Sequence, residues 1–187
     1  MRSAAAFALG FLGFAIVALA QEREVAPSEP DDYRLEDYRA PTPATLRGAK
    51  ALDTVEAEAL WRSQSAAFID VLPQAPRPAR LPAGTFWRDK PRPDIPGSFW
   101  LPDTGYGLLA PVMLGYLSNG LKTATHGDLS HALVFYCLAD CWMSWNAAKR
   151  ALSLGYTNVA WYREGTDGWS AAGLPLTIAT PEPRPPS

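Results

Sequence analysis

Two cysteines, and only two, stand in one short stretch, Cys137-Leu138-Ala139-Asp140-Cys141-Trp142. The apolar run Ala132 to Tyr136 before them reads as a buried strand. The run Ser144 to Leu152 after them reads as a helix. A thiol at a strand-to-helix junction meets unpaired backbone N–H groups and the positive end of a helix dipole, which favours the reactive thiolate. A turn of this length also lets the two residues approach the Cα separation of about 5.5–6 Å that a disulfide prefers. The pair therefore fits a two-thiol device. Cys137 attacks, and Cys141 resolves the resulting mixed disulfide or persulfide. The same residues also fit a static disulfide that staples the loop, or a vestigial site in a binding protein.

Other chemistries fit less well. Covalent haem attachment needs His directly after the second Cys, where Trp142 stands. Zinc would recruit His126 and His131, but their spacing is unlike zinc-finger patterns and His131 opens the strand at its far end. Two thiolates suit copper by softness. No cofactor is assigned from the residues.

Asp140, Trp142, Met143 and Ser144 line the loop itself. Asp167, in Gly165-Thr166-Asp167-Gly168-Trp169, follows the next strand. It is expected at the same carboxyl end of a parallel sheet, where ligands gather; Asp-Gly is equally a turn signal. Asp70 ends an earlier strand and is expected to cap the loop beneath the site. Trp142, Trp145, Trp161 and Trp169 suit either an aromatic wall for a quinone or alcohol-derived ligand, or core and rim packing. Lys149 and Arg150 are expected in solvent.

The elements that position these residues alternate in type. Ala49–Leu52 reads as a short strand, followed by a helix capped by Asp53 or Thr54 and running to about Ser63. Ala67–Val71 is a compact apolar strand. Pro73 to Pro96 reads as a long Pro-rich loop, and Gly97–Leu101 as another short strand. Leu108–Leu121 is a helix with Pro111 in its first turn. After the cysteine loop and its helix, which Gly155 closes, Asn158–Tyr162 is a strand. Gly165–Trp169 is a tight turn leading into a short helical piece. The alternation predicts an α/β fold, a central parallel sheet flanked by helices on both faces.

The 187 residues carry a net charge of −2 and are 48% hydrophobic, which fits one domain with extensions and leaves no electrostatic footprint for nucleic acid. Residues 1–20 combine Arg2, an apolar run and Ala18-Leu19-Ala20, the pattern of a cleaved signal peptide. The expected location is the periplasm, with no membrane association after signal removal. Residues 21–45 are acidic and Pro-rich and are expected to form a flexible arm, in which Tyr33-Arg34 and Tyr38-Arg39 are possible pins. The folded domain is expected over 46–178. Residues 179–187, with Pro181, Pro183, Pro185 and Pro186, are expected to be a disordered tail.

In order along the chain, Asp70-Val71, Ile95-Pro96-Gly97-Ser98, Tyr136-Cys137, Gly155-Tyr156-Thr157-Asn158-Val159 and Gly165…Gly168-Trp169…Gly173-Leu174-Pro175 resemble the rhodanese-like domain. The resemblance covers about Ala49 to Leu176. It implies a rhodanese-like α/β fold in which Cys137 would carry sulfur as a persulfide. Phe135-Tyr136-Cys137, Asp140-Cys141-Trp142 through Ala151, Trp100-Leu101-Pro102 and Gly105-Tyr106-Gly107 resemble more closely a smaller exported family. That family carries a Cys…Cys-Trp motif and is associated with pyrroloquinoline quinone (PQQ)-dependent catabolism of alcohols. The resemblance implies an accessory role, with a periplasmic quinoprotein dehydrogenase system or a thiol redox protein as partner. The loop departs from ordinary rhodaneses. It is one residue longer before Ser144, and Met143 stands where they carry Arg. Asp140 adds a negative charge beside Cys137 that opposes thiolate and repels anionic donors. Phosphatase chemistry, which needs an Arg to hold the dianion, is disfavoured.

Overall fold

The computed structural model describes residues 26–184. The expected signal peptide lies outside them. The element order is β1 (Lys50–Leu52), α1 (Thr54–Arg62), β2 (Ala67–Asp70), β3 (Arg92–Asp94), β4 (Phe99–Trp100), α2 (Pro111–Thr125), β5 (Leu133–Tyr136), α3 (Trp142–Ser153), β6 (Val159–Tyr162), α4 (Gly165–Ala171) and β7 (Thr177–Ala179). Five strands form one parallel sheet in the order β1-β6-β5-β2-β4. Among the described residues no helix is long and apolar enough to cross a membrane.

Alternation along the strands builds two cores. Ile69, Leu133, Phe135 and Trp161 point to one face, where α2 and α3 bring Leu117, Leu121, Trp145 and Ala148. Phe68, Val134, Tyr136 and Tyr162 point to the other, against Ala57 of α1 and Trp169 of α4. The sheet is thus covered on both faces, as the alternating pattern predicts. β5 and β2 lie at its centre, with β4 on one side and β6 on the other. The chain reverses its direction of growth here, where an open parallel sheet leaves a crevice at the carboxyl ends of its strands.

Local signals explain the helix boundaries. Asp53 and Glu56 form a reciprocal capping box that starts α1. α2 begins at Pro111, whose missing N–H costs nothing at the first helical position. It runs past Leu121 to Thr125 and stops where His126 takes a left-handed conformation. Gly155, at φ +94°, follows the end of α3.

Several expectations change. The supposed loop from Pro73 to Pro96 contains β3, which pairs antiparallel with β7 in a separate two-stranded sheet. Arg92-Pro93-Asp94 has almost no intrinsic strand preference; tertiary pairing imposes the extended form. Gly165–Ala171 is helix from its first residue, so Asp167-Gly168 is not a turn. Residues 179–184, read as disordered tail, have partners in the fold. Ala179 ends β7, the Glu182 N–H donates to the Trp100 carbonyl at 2.9 Å, and Arg184 pairs with Asp103 at 2.7 Å.

The described part of the arm, residues 26–45, is also packed, along α3. The Arg34 N–H donates to Asn146 Oδ1 and Asn146 Nδ2 donates back to the Arg34 carbonyl, both at 2.9 Å. Trp142 Nε1 donates to the Pro41 carbonyl and Trp145 Nε1 to the Thr45 carbonyl. The Arg34 guanidinium stacks over Trp142 and that of Arg150 over Tyr33. The arm has no apolar period because it docks through its backbone. Its carbonyls satisfy buried donors of α3 that would otherwise be orphaned.

Candidate functional site

β5 delivers Cys137 to the carboxyl end of the sheet, and Cys141 occupies the N-cap of α3. The two are joined by a disulfide, with their Cα atoms 6.2 Å apart. Asp140 closes the turn in the left-handed region at φ +49°, which Asp tolerates better than most side chains.

Neighbouring elements hold this loop from several sides. The Thr166 N–H donates to the Cys137 carbonyl at 3.0 Å. The Ala139 N–H donates to Asp167 Oδ2 at 3.0 Å, so Asp167 does reach the cysteine loop, as a loop-positioning acceptor. Ser144 Oγ donates to the Cys141 carbonyl at 2.9 Å and accepts from Trp161 Nε1 at 3.0 Å. Ser144 therefore braces the loop from within the core. On the outer side Cys141 forms an antiparallel bridge with Arg39, and the Trp142 N–H donates to the Tyr38 carbonyl at 2.9 Å.

Asp70 lies beneath the loop, fully buried, and accepts from Arg92 Nε at 2.7 Å. Arg92 also donates to Thr166 Oγ1 at 3.1 Å and to the Cys137 carbonyl at 3.3 Å. One guanidinium thus ties β2, β5 and α4 together. Asp94, on the same short strand, is 3.9 Å from Arg92 and accepts from the Tyr136 hydroxyl at 2.5 Å. Sequence reading missed Arg92 and Asp94. The signal was a carboxylate at the end of the apolar strand Ala67–Asp70, because a buried charge requires a partner.

Two buried acids share one guanidinium. Burial pushes both carboxyls up, and Arg92 offsets this most at Asp70, which it contacts directly. Burial and the neighbouring Asp70 charge push Asp94 up to about 7. Among the described residues its Oδ2 is buried without a hydrogen-bond partner, an arrangement that suits the neutral acid. An unfolded Asp titrates near its ordinary 3.8. Between that pH and about 7 Asp94 therefore keeps a proton in the folded chain that it has lost in the unfolded chain. Stability contributed by this proton is full below the unfolded value and is lost as pH rises towards 7. Thermal melting from pH 4 to 8 should show a falling melting temperature that levels above about 7, and Asp94→Asn should flatten that fall. An unchanged slope in Asp94→Asn would assign the dependence elsewhere.

A cavity of about 490 Å³ opens beside the disulfide. Cys141 and Met143 border it, with Leu72, Trp100 and Leu138, and Tyr38 of the arm forms part of its wall. Its indole is Trp100. Trp142, Trp145, Trp161 and Trp169 are all buried and pack in the two cores or under the arm. Asp140 is exposed on the loop. Lys149 and Arg150 are not simply solvated. Lys149 Nζ donates to the Pro30 and Asp31 carbonyls, while buried Arg150 donates to the carbonyls of Thr104, Tyr106 and Gly107. Their long stems cover apolar surface while their donors serve loop and arm backbone.

No family model matches the chain, and no curated protein matches it. Similar solved structures include a thiosulfate sulfurtransferase from Pseudomonas aeruginosa, at 22% identity and a TM-score of 0.48 over 72% of this chain and 21% of that one. The polysulfide-sulfur transferase homodimer from Wolinella succinogenes is similar at 17% identity and a TM-score of 0.45, over 71% of this chain and 81% of that one. A variant of EanB in complex with ergothioneine is similar at 18% identity and a TM-score of 0.49, over 71% of this chain and 32% of that one. The chain thus spans about a fifth of the first of these and about a third of the last.

Proposed function

We propose that this chain is a rhodanese-like protein acting through thiol or sulfur chemistry at Cys137 and Cys141. The finer reading is a periplasmic accessory protein of PQQ-dependent alcohol catabolism. The observation that carries the thiol reading is the disulfide itself. It joins the end of a central strand to the start of a helix, beside a cavity, at the sheet end where parallel folds hold their ligands. The ordered motifs from Asp70-Val71 to Gly173-Leu174-Pro175 support the rhodanese-like family, and the leader-like residues 1–20 support export. The Cys…Cys-Trp segment supports the PQQ-linked role, with a quinoprotein dehydrogenase system or a thiol redox protein as partner.

Thiol–disulfide exchange at this loop needs no anion-binding Arg at position 143, so Met143 is no obstacle to it. Sulfur transfer needs one cysteine free to carry the sulfane sulfur, hence prior reduction of the pair. Export to an oxidising compartment makes the disulfide the resting form.

A second reading is a non-catalytic binding protein with a structural disulfide. Burial favours it, since Cys137 and Cys141 are 0% and 2% exposed. One measurement separates the two. Mature protein is equilibrated in dithiothreitol redox buffers without denaturant, quenched with an alkylating agent and weighed by mass spectrometry. The thiol reading expects a reversible two-electron transition between disulfide and dithiol while circular dichroism stays native. Reduction that occurs only together with unfolding would establish the structural staple.

A further inference from the structure

We propose that Cys141, rather than Cys137, is the sulfur that exchanges with substrate, and that the substrate is a thiol with an apolar body and a negatively charged group. The proposal rests on the thiol reading above and reverses the order of attack expected from the sequence alone.

The two sulfurs occupy unlike surroundings. Cys141 lines the cavity wall and is 2% exposed, whereas Cys137 is absent from the lining and 0% exposed. The Cys137 backbone is locked by Thr166 and Arg92 from below. Cys141 stands at the N-cap of the twelve-residue α3, which makes no side-chain cap bond, so the positive end of the helix dipole favours a thiolate there. Access and electrostatics therefore select the same cysteine.

The cavity walls define the ligand class. Leu72, Trp100, Leu138 and Met143 provide an apolar surface next to Cys141. Arg39 and Lys90 also line the cavity, are exposed, and form no ion pair among the described residues. Arg92 lines it too, but its charge is already matched by Asp70. Among the described residues no Asp or Glu lines the cavity; Asp140, exposed beside Cys141, lies outside its lining and opposes the two cations there. An apolar body fits the wall, and an acidic group meets the two uncommitted cations.

The exchange balances as follows. A substrate thiolate attacks Sγ of Cys141, forming a mixed disulfide. The Cys137–Cys141 bond breaks, and its electron pair leaves on Cys137 Sγ, which takes up a proton. Arg92 and Thr166 hold the Cys137 backbone in place as its sulfur leaves. A second substrate thiolate attacks the substrate sulfur of the mixed disulfide and releases Cys141. Two substrate thiols are oxidised to one disulfide, and the protein disulfide is reduced to a dithiol carrying their two protons. The reverse sequence reduces a substrate disulfide.

Single-thiol forms of the mature chain test this without any need to reduce the native disulfide. Cys137→Ser and Cys141→Ser are reacted with dithiobis(nitrobenzoate), an anionic aromatic disulfide, and with cystamine, a cationic aliphatic one. Each rate is divided by that of free cysteine with the same reagent. We expect Cys137→Ser, which retains Cys141, to react about tenfold or more faster than Cys141→Ser. Its normalised rate should favour the anionic aromatic reagent, and Arg39→Ala with Lys90→Ala should reduce that preference. Reduced wild-type protein treated with substoichiometric iodoacetamide gives a check that needs no variant, since peptide mapping should find Cys141 alkylated first. Equal or faster reaction of Cys137 overturns the assignment of the exchanging sulfur. Equal normalised rates with both reagents overturn the ligand class. Neither result bears on whether the wild-type disulfide cycles, which the redox-buffer titration decides separately.

Discussion

Replacing Arg92 by Met lowers the unfolding free energy by about 3–5 kcal/mol, because it strips a buried carboxylate of its counter-charge. Arg92 is 6% exposed and Asp70 is fully buried, so the pair is largely shielded from water. Asp70 keeps the backbone N–H of Leu72 as a donor at 2.9 Å, which softens the loss without matching a charge. The Cys137 carbonyl and Thr166 Oγ1 lose a donor in the same substitution. Urea unfolding of Arg92→Met against wild type checks the size of the effect. The double variant Arg92→Met with Asp70→Asn separates the charge from the packing. Neutralising Asp70 removes the uncompensated carboxylate, so the double variant should recover a substantial part of the loss. A double variant that simply sums two losses would mean that the pair contributes packing and little electrostatics. The position also reports on the site. With its tie to the Cys137 carbonyl gone, the disulfide should be reduced faster in Arg92→Met than in wild type under native conditions.

Arg92 also marks the boundary of what the sequence makes legible. The central strands stand out as short continuous apolar runs, and the helix after the cysteines by the helical spacing of its apolar residues. β5 falls where Leu133–Tyr136 predicts it, and α1 begins at the capping box that Asp53 and Glu56 spell out. The cysteine loop is legible for the same reason, as a short polar interruption between two strongly patterned segments. β3, β7 and the packed arm are not patterned. Each is held by partners far away in the chain, through backbone pairing or through carbonyls that meet buried indole and amide donors. Such contacts leave no periodicity in the segment that supplies the acceptors. They do leave a trace in the donor segment. Trp142, Trp145, Asn146 and Arg150 all lie on one helix and all become buried, so each needs an acceptor that α3 itself cannot supply. Asp70 leaves the same kind of trace, and β3 supplies its missing cation.

Gly165→Ala should cost about 3 kcal/mol and loosen the cysteine loop, from left-handed strain plus a backbone overlap. Gly165 begins α4 at φ +52°, where an L side chain is strained. It also lies against the disulfide loop. A Cβ at this position would sit 2.7 Å from the Cys137 carbonyl carbon and 2.8 Å from that of Leu138. Both are backbone atoms and cannot rotate away, so either α4 or the loop must move. That movement pulls the Thr166 N–H and hydroxyl from the Cys137 carbonyl and Asp167 from the Ala139 N–H, contacts that hold the loop from this side. Gly173→Ala is the matched control. Its φ is +71°, but an added Cβ meets nothing within 4 Å, so it carries the strain without the overlap. Its expected cost is about 1–2 kcal/mol. Unfolding free energies of the two variants, together with native-state rates of disulfide reduction, check the account. The Gly165 variant should be the less stable and its disulfide the more quickly reduced, while Gly173→Ala should reduce at the wild-type rate. Equal costs for the two substitutions would show that α4 yields freely, and that its first turn does not fix the position of Cys137.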